Sequence, residues 1–225
     1  MTRLKSFLEK NKHFALLLYF VIYLIWFKVI EEEVTTHFHV VHTALDDVIP
    51  FCEYFVIPYF LWFFYIAWGF LYFGFKDKKT FFRMCGFLFT GMSIFLIVST
   101  AYPNGHFLRP MYFTRHNFCT MLCEYLYSID TPTNLFPSIH VYNSLGVHMA
   151  VMTSEKFKER KVPKILSGVL CVSIILSTML IKQHSTFDVF TALILGAIMY
   201  FVAFRYSWKH LPQTVSQKAS SVHNI

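Results

Sequence analysis

The chain has 225 residues, of which 56% are hydrophobic, 20% aromatic and only 15% charged. A soluble domain carries about a quarter charged residues, so the composition excludes that class and points to an integral membrane protein. The net charge of +7 is not a nucleic-acid signal, because the basic residues are divided among separate pieces that carry no nucleic-acid motif.

A helix crosses a bilayer with about 20 mostly apolar residues. Six such windows follow one another along the chain: 13–30, 52–75, 84–102, 137–153, 164–182 and 187–207, the fourth being the shortest. The first follows Arg3, Lys5, Lys10 and Lys12 but runs on into "FKVIEEEVTTHFH", without a small-residue cleavage site. It reads as an uncleaved anchor rather than a signal peptide. The next segment is acidic, with Glu31, Glu32, Glu33, Asp46 and Asp47, and residues 45–55 mix apolar and acidic groups as an interfacial stretch does. In it, "HFHVVH" places His37, His39 and His42 close together, but no further ligand set completes a metal cluster, and a solvated loop is the expectation. The second span is crowded with aromatic residues, expected to face lipid. Tyr59, Trp62 and Phe63 are candidates for an acyl-chain entrance, with nothing in the sequence to select among them.

Basic residues set the orientation. Sixteen of the twenty fall in the N-terminal tail, the loops 76–83 and 156–164, and the C-terminal tail, all on one side of a chain that crosses six times. The positive-inside rule makes that side cytoplasmic, with both termini on it. The expected fold is an all-α bundle of six transmembrane helices in one domain over residues 1–210, followed by a polar, disordered cytoplasmic tail over 211–225. No internal repeat is visible. Cys52, Cys85, Cys119, Cys123 and Cys171 read as buried, inert thiols.

Three polar clusters then fall at the outer ends of spans three to six: Arg109-Pro110, Pro137-Ser138-Ile139-His140, and "KQHSTFD" with Lys182, His184 and Asp188. Each residue alone has an ordinary interfacial reading, as a snorkelling arginine, a satisfied histidine or a helix-end ion pair. Together, at one membrane level, they favour a site. His184 and Asp188 lie four apart, so a sixth helix starting at His184 puts them on one face. The carboxylate then fixes the tautomer and frees the other ring nitrogen as a nucleophile or base. Pro137 suits a first helical position, and the amides of Ser138, Ile139 and His140 would form an anion-binding helix end. Arg109 offers a planar fork and Lys182 a point charge for phosphate oxygens. His140 is placed to donate a proton to a leaving oxygen. No carboxylate-rich metal cage accompanies these groups, so neither metal nor other cofactor is expected.

The order Arg-Pro, Pro-Ser-x-His, His-x-x-x-Asp resembles the three-part signature of the type 2 phosphatidic acid phosphatase superfamily, and that superfamily's inositol-phosphorylceramide and sphingomyelin synthase-like branch. The resemblance covers about residues 80–207. It implies a six-helix membrane bundle with an extracytoplasmic site. His184 would be the phosphoryl-accepting nucleophile, Asp188 its orienting carboxylate and His140 the acid. Arg109, Ser138 and neighbouring amides would hold the phosphate. Two departures stand out: Tyr102 and Thr178 occupy positions where the family usually has lysine and arginine. The resulting expectation is a multi-pass cell-membrane lipid phosphatase. A lipid headgroup phosphotransferase and a non-catalytic lipid-phosphate binder or transporter are the alternatives. Its partners would be a phosphorylated lipid and the surrounding membrane lipids, not nucleic acid. The oligomeric state is not legible.

Overall fold

A computed structural model of the chain describes residues 9–34 and 37–205. The tail read as disordered, 211–225, lies outside the described residues. The fold is mostly helical. A short 3-10 stretch, Lys12–Leu18, leads into α1 (Tyr19–Glu33). Next come β1 (His39–Val40), α2 (Ala44–Val48) and the long helices α3 (Val56–Lys76) and α4 (Lys78–Ala101). Then follow β2 (Asn104–Gly105), α5 (Phe118–Ile129), α6 (Ile139–Thr153), α7 (Lys161–Leu180) and α8 (Thr186–Tyr200).

Among the described residues, five helical segments are long and apolar enough to cross a membrane: Lys12–Glu33, Glu53–Lys76, Lys78–Ala101, Lys161–Leu180 and Thr186–Arg205. The fourth window of the sequence, 137–153, falls short. Its helix α6 has 15 residues, about 23 Å at 1.5 Å per residue, against a hydrocarbon core of about 30 Å. The reason lies in its surroundings. α6 is the central helix, packed against α3, α4, α7 and α8, so its Asn143 and Ser144 are buried by protein instead of facing lipid.

Close packing at this centre rests on two glycines. A side chain at Gly146 would collide with Phe87 and Leu88, and one at Gly91 with the ring of Tyr142. With both bare, Tyr142 stacks on Phe87 at 4.4 Å and its hydroxyl donates to the Phe87 carbonyl at 2.8 Å.

The connections at one end of the bundle form a cap. β1 and β2 pair in parallel, His39 opposite Asn104 and Val40 opposite Gly105. α5 buries Cys119, Cys123 and Leu126 against Val56 and Tyr59. The three histidines of "HFHVVH" do not converge: His39 stacks on Tyr102 at 4.1 Å, and His42 reaches Asp47 at 2.8 Å.

Candidate active site

The α7–α8 turn is built by three carbonyl and carboxylate anchors. The amides of Gln183 and His184 both donate to the Thr178 carbonyl, at 2.9 and 3.0 Å, and Lys182 adopts a positive φ of 52° to make the reversal. Ser185, not His184, opens α8: its side chain caps the helix, and Asp188 completes a capping box from the third helical position. The buried Asp46 secures the same turn from outside. Its carboxylate accepts from Ser185 Oγ at 2.6 Å, from the Thr186 amide at 2.7 Å and from the Thr43 amide at 2.8 Å. Burial pushes this carboxyl up, but the bonds from Ser185, Thr186 and Thr43 outweigh it and hold it below the usual range.

The turn presents His184, 5% exposed, between two partners. Its Nδ1 lies 3.3 Å from Asp188 Oδ2, and its Nε2 lies 3.3 Å from His140 Nδ1. A carboxylate accepts, so His184 Nδ1 carries the proton and Nε2 presents a lone pair. That lone pair faces an Nδ1–H of His140. Burial first, and the Arg109 charge second, hold His184 down to about 3, which keeps the ring neutral at physiological pH. Asp188 also accepts the Ser185 amide on Oδ2 at 2.9 Å. Its Oδ1 has no partner among the described residues.

His140 occupies the first turn of α6, whose N-cap is Ser138. Pro137 therefore sits one position before the cap instead of at the first helical position. The Ser138 amide is not a free donor either, since it bonds the Asp188 carbonyl at 3.2 Å. Its Oγ accepts from the Val141 amide at 3.4 Å, which uses a lone pair and leaves the hydroxyl proton to donate. The His140 ring lies 4.6 Å from that of Tyr59 and 4.4 Å from that of Trp62.

Arg109 enters from the loop after β2. Nη1 donates to the Asp130 carbonyl at 2.7 Å, Nη2 donates to Gln183 Oε1, and the guanidinium lies 4.5 Å over the Tyr127 ring. Its Nε has no partner among the described residues. Gln183 is the hub behind it: Nε2 donates to Asp130 Oδ2 at 2.8 Å and to Tyr59 Oη at 3.4 Å. The Tyr59 hydroxyl also donates to Asp130 Oδ2, at 3.3 Å. Burial raises the Asp130 carboxyl, against the pull of Arg109. Behind the turn, His106 Nε2–H donates to the Gln183 carbonyl at 3.1 Å while Nδ1 accepts the Leu108 amide at 3.2 Å. Burial pushes this histidine down to about 4.

The structure thus brings His184, His140, Asp188, Ser138 and Arg109 together, and it takes Lys182 elsewhere. The Lys182 ammonium donates to the carbonyls of Asp46 at 2.8 Å and Ile49 at 2.5 Å, which ties the α2 loop to the turn. Neither departure position restores a cation: Tyr102 stacks on His39, and the Thr178 hydroxyl donates to Ile175. Gln183, Asp130 and His106 were not singled out as site residues in the sequence, and Tyr59 was named there only as a candidate for an acyl-chain entrance. Gln183 had a local signal, as a polar residue beside His184 in an apolar chain. Asp130 and Tyr59 are 71 residues apart, and nothing local links them.

Residues 108–212, which begin just before Arg109 and contain Arg109, Ser138, His140, His184 and Asp188 but not Tyr59, His106 or Asp46, match the family model of the PAP2 superfamily. The match supports that superfamily. A PAP2 domain suggests phosphatase-type activity on phosphate esters, and together with the long apolar helices it fits a membrane protein. No curated protein and no solved structure matches the chain.

Proposed function

We propose that the chain is a multi-pass membrane phosphatase acting on a lipid phosphomonoester or diphosphate through a phosphohistidine. The observation that carries this reading is the linear array Asp188–His184–His140 beside Arg109. Arg109 and the Ser138 hydroxyl hold the phosphate oxygens. His184 Nε2 attacks phosphorus as the bond to the leaving oxygen breaks, and Asp188 stabilises the charge that develops on the ring. His140, protonated on both ring nitrogens when the phosphate is bound, gives one proton to the departing alkoxide and is left neutral. In the second half His140 takes a proton from water, whose oxygen attacks the phosphohistidine, releasing inorganic phosphate and restoring His184.

The membrane reading counts α6 as a sixth crossing, short because other helices bury it. The cluster lies where α4 and α7 end and α6 and α8 begin, while the basic loops 76–83 and 156–164 lie at the other end. That separation supports an extracytoplasmic site and cytoplasmic termini.

One observation favours a second reading, lipid-to-lipid phosphotransfer. With Lys182 drawn away, Arg109 is the one Lys or Arg side chain in the described cluster, and Asp130 lies beside it. A phosphodiester carries one negative charge where a monoester carries nearly two, so a cluster with one cation suits the diester that a transferase uses. Both readings are tested by supplying purified protein with phosphatidic acid and, separately, with a diester glycerophospholipid plus a diacylglycerol or ceramide acceptor, and measuring free phosphate and new lipid together. Wild type releases phosphate, and His184→Asn reduces release by roughly 10³-fold or more while keeping its thermal midpoint. A new phospholipid in place of phosphate selects the transferase. Normal turnover by His184→Asn removes the phosphohistidine.

A further inference from the structure

Of the consecutive glutamates that end α1, one turns inward. Glu32 pairs with Lys28 on the exposed face at 3.6 Å, whereas Glu31 Oε1 is buried and has no hydrogen-bond partner among the described residues. The end of α1 is pinned against the loop that follows α5. Asn134, at a positive φ of 54°, donates from Nδ2 to the Ile30 carbonyl at 3.4 Å, and the Thr133 hydroxyl faces the Glu31 carboxylate. That placement brings Glu31 within electrostatic reach of Asp130 and Arg109. The other titratable groups around these three are Tyr23 of α1, Tyr59 of α3 and Tyr127 of α5, with His184 facing the Arg109 charge. Gln183 is their neutral partner from the α7–α8 turn. Glu31 lies outside residues 108–212, so the superfamily match does not include it.

The charges of this cluster do not balance. Two carboxyl groups face one guanidinium, and an entering phosphate adds at least one further negative charge. Like charges close together in a half-buried cluster cannot all stay ionised. A proton is the one positive charge that needs no room to reach the enclosed Glu31 oxygen. Resting on the reading of Arg109 as a phosphate ligand, we propose that Glu31 is a positioning residue, forming with Asp130 an acid pair that takes up a proton as the anion reaches Arg109. The proton comes from solution and returns to it when the anion leaves. The pair titrates as a unit, so the proton belongs to neither carboxyl alone. With both groups ionised, Arg109 is claimed from two sides and the anion is repelled. With one proton on the pair, a single carboxylate balances the guanidinium and that repulsion is removed.

The test uses sulfate, a dianion whose own charge is constant across neutral pH. Its binding to the full chain in detergent is followed by isothermal titration calorimetry from about pH 6 to about pH 8. Wild type binds more weakly as pH rises. His140 also gains a proton when the anion binds, so the decisive quantity is the difference between wild type and Glu31→Gln. At about pH 8 Glu31→Gln binds sulfate about ten-fold more tightly, the effect of removing one nearby negative charge, and the gap closes as pH falls. Proton uptake, read in two buffers of different ionisation enthalpy, is smaller in the variant. Asp130→Asn removes the same proton, and combining the two substitutions removes no second one. A purely structural role for Glu31 predicts weaker binding or an unchanged pH profile. Parallel profiles for wild type and both variants overturn the proposal while leaving the role of Arg109 intact. Absence of sulfate and phosphate binding by wild type overturns the phosphate-site reading, and the proposal with it. Where Glu31→Gln does not fold, His140→Gln decides: it still takes up a proton if the pair is the acceptor, and takes up none if the pair is not.

Discussion

Two carboxylates near helix starts at opposite ends of the bundle are used differently. Asp77 precedes α4 and is saturated: it accepts the Thr80 amide at 3.1 Å, the Thr80 hydroxyl at 2.7 Å and the Ser154 hydroxyl at 2.6 Å. Burial pushes its carboxyl up, yet the Ser154 and Thr80 bonds prevail and hold it below the usual range. Asp188 places both of its contacts on Oδ2 and leaves Oδ1 without a partner among the described residues, as Arg109 leaves Nε. A carboxylate whose bonds are complete fastens two loops. One that supports an imidazole, with unpaired groups close by, is organised for something that arrives. The physical difference is satisfaction, because an unpaired buried polar group is a standing cost that folding alone does not explain.

The largest effect expected from this contrast is at the chemistry. Asp188→Asn keeps the shape but can donate to His184 Nδ1, favouring the tautomer with its proton on the attacking nitrogen. Phosphate release should fall by roughly 10³- to 10⁴-fold, with little loss of thermal midpoint. Asp77→Asn should do the reverse, lowering the midpoint while kcat stays within a few-fold. Similar kinetic losses in the two variants would break the contrast.

Next comes the hub. Gln183→Leu removes the acceptor that fixes Arg109 Nη2 and the donor that quiets Asp130. A guanidinium displaced by about 1 Å costs on the order of 10²-fold in kcat/KM. Steady-state kinetics on a phosphorylated lipid check this, and Gln183→Glu sharpens it. If that variant binds phosphate as well as wild type, the charge balance around Arg109 is not what limits binding.

The pH dependence of stability separates the same two ends. His184 and His106 lie at about 3 and about 4, chiefly through burial, whereas the unfolded chain titrates near 6.5. Between those values the unfolded state binds protons that the folded state refuses. Stability is therefore full above about pH 6.5 and is lost as pH falls below it, by at most about 1.4 kcal/mol per pH unit for each histidine. The Asp77 contribution runs lower: its depressed carboxyl keeps stabilising until pH falls below about 4. Thermal midpoints in detergent should decline from pH 6.5 to 5, and His106→Gln should flatten the decline. A level midpoint over that range would mean the histidines are hydrated.

Much of this was legible because lipid makes polar residues conspicuous. Arg109, Ser138, His140, His184 and Asp188 stand out from apolar runs, and their spacing carries their chemistry. The helix starts were misplaced by one or two residues. Proline and histidine look like first-turn residues, while Ser138 and Ser185 supply the cap hydroxyls that set where α6 and α8 begin. The partners across the fold were hidden for another reason. Asp46 reaches Ser185 over 139 residues and Tyr59 reaches Asp130 over 71, and no periodicity records such pairings. The short central helix was hard to delimit because protein, not lipid, surrounds it, so its length obeys packing rather than bilayer thickness.

Lys182 is the smallest effect and the sharpest test of what spacing alone can say. Two residues from His184, it has the charge and the place for a phosphate ligand, yet its ammonium bonds the Asp46 and Ile49 carbonyls. Burial lowers its pKa, with Asp46 and Asp47 opposing. Lys182→Met leaves both carbonyls without that donor and loosens the loop whose Asp46 braces Ser185 and Thr186. A stability loss of about 1–2 kcal/mol follows, and kcat/KM should change by less than ten-fold through the braced turn. Arg109→Lys, which loses a planar fork, should instead raise KM strongly. If Lys182→Met raises KM as much as Arg109→Lys does, the ammonium leaves its carbonyls during turnover, and Lys182 belongs with Arg109 at the phosphate rather than with Asp77 among the fasteners.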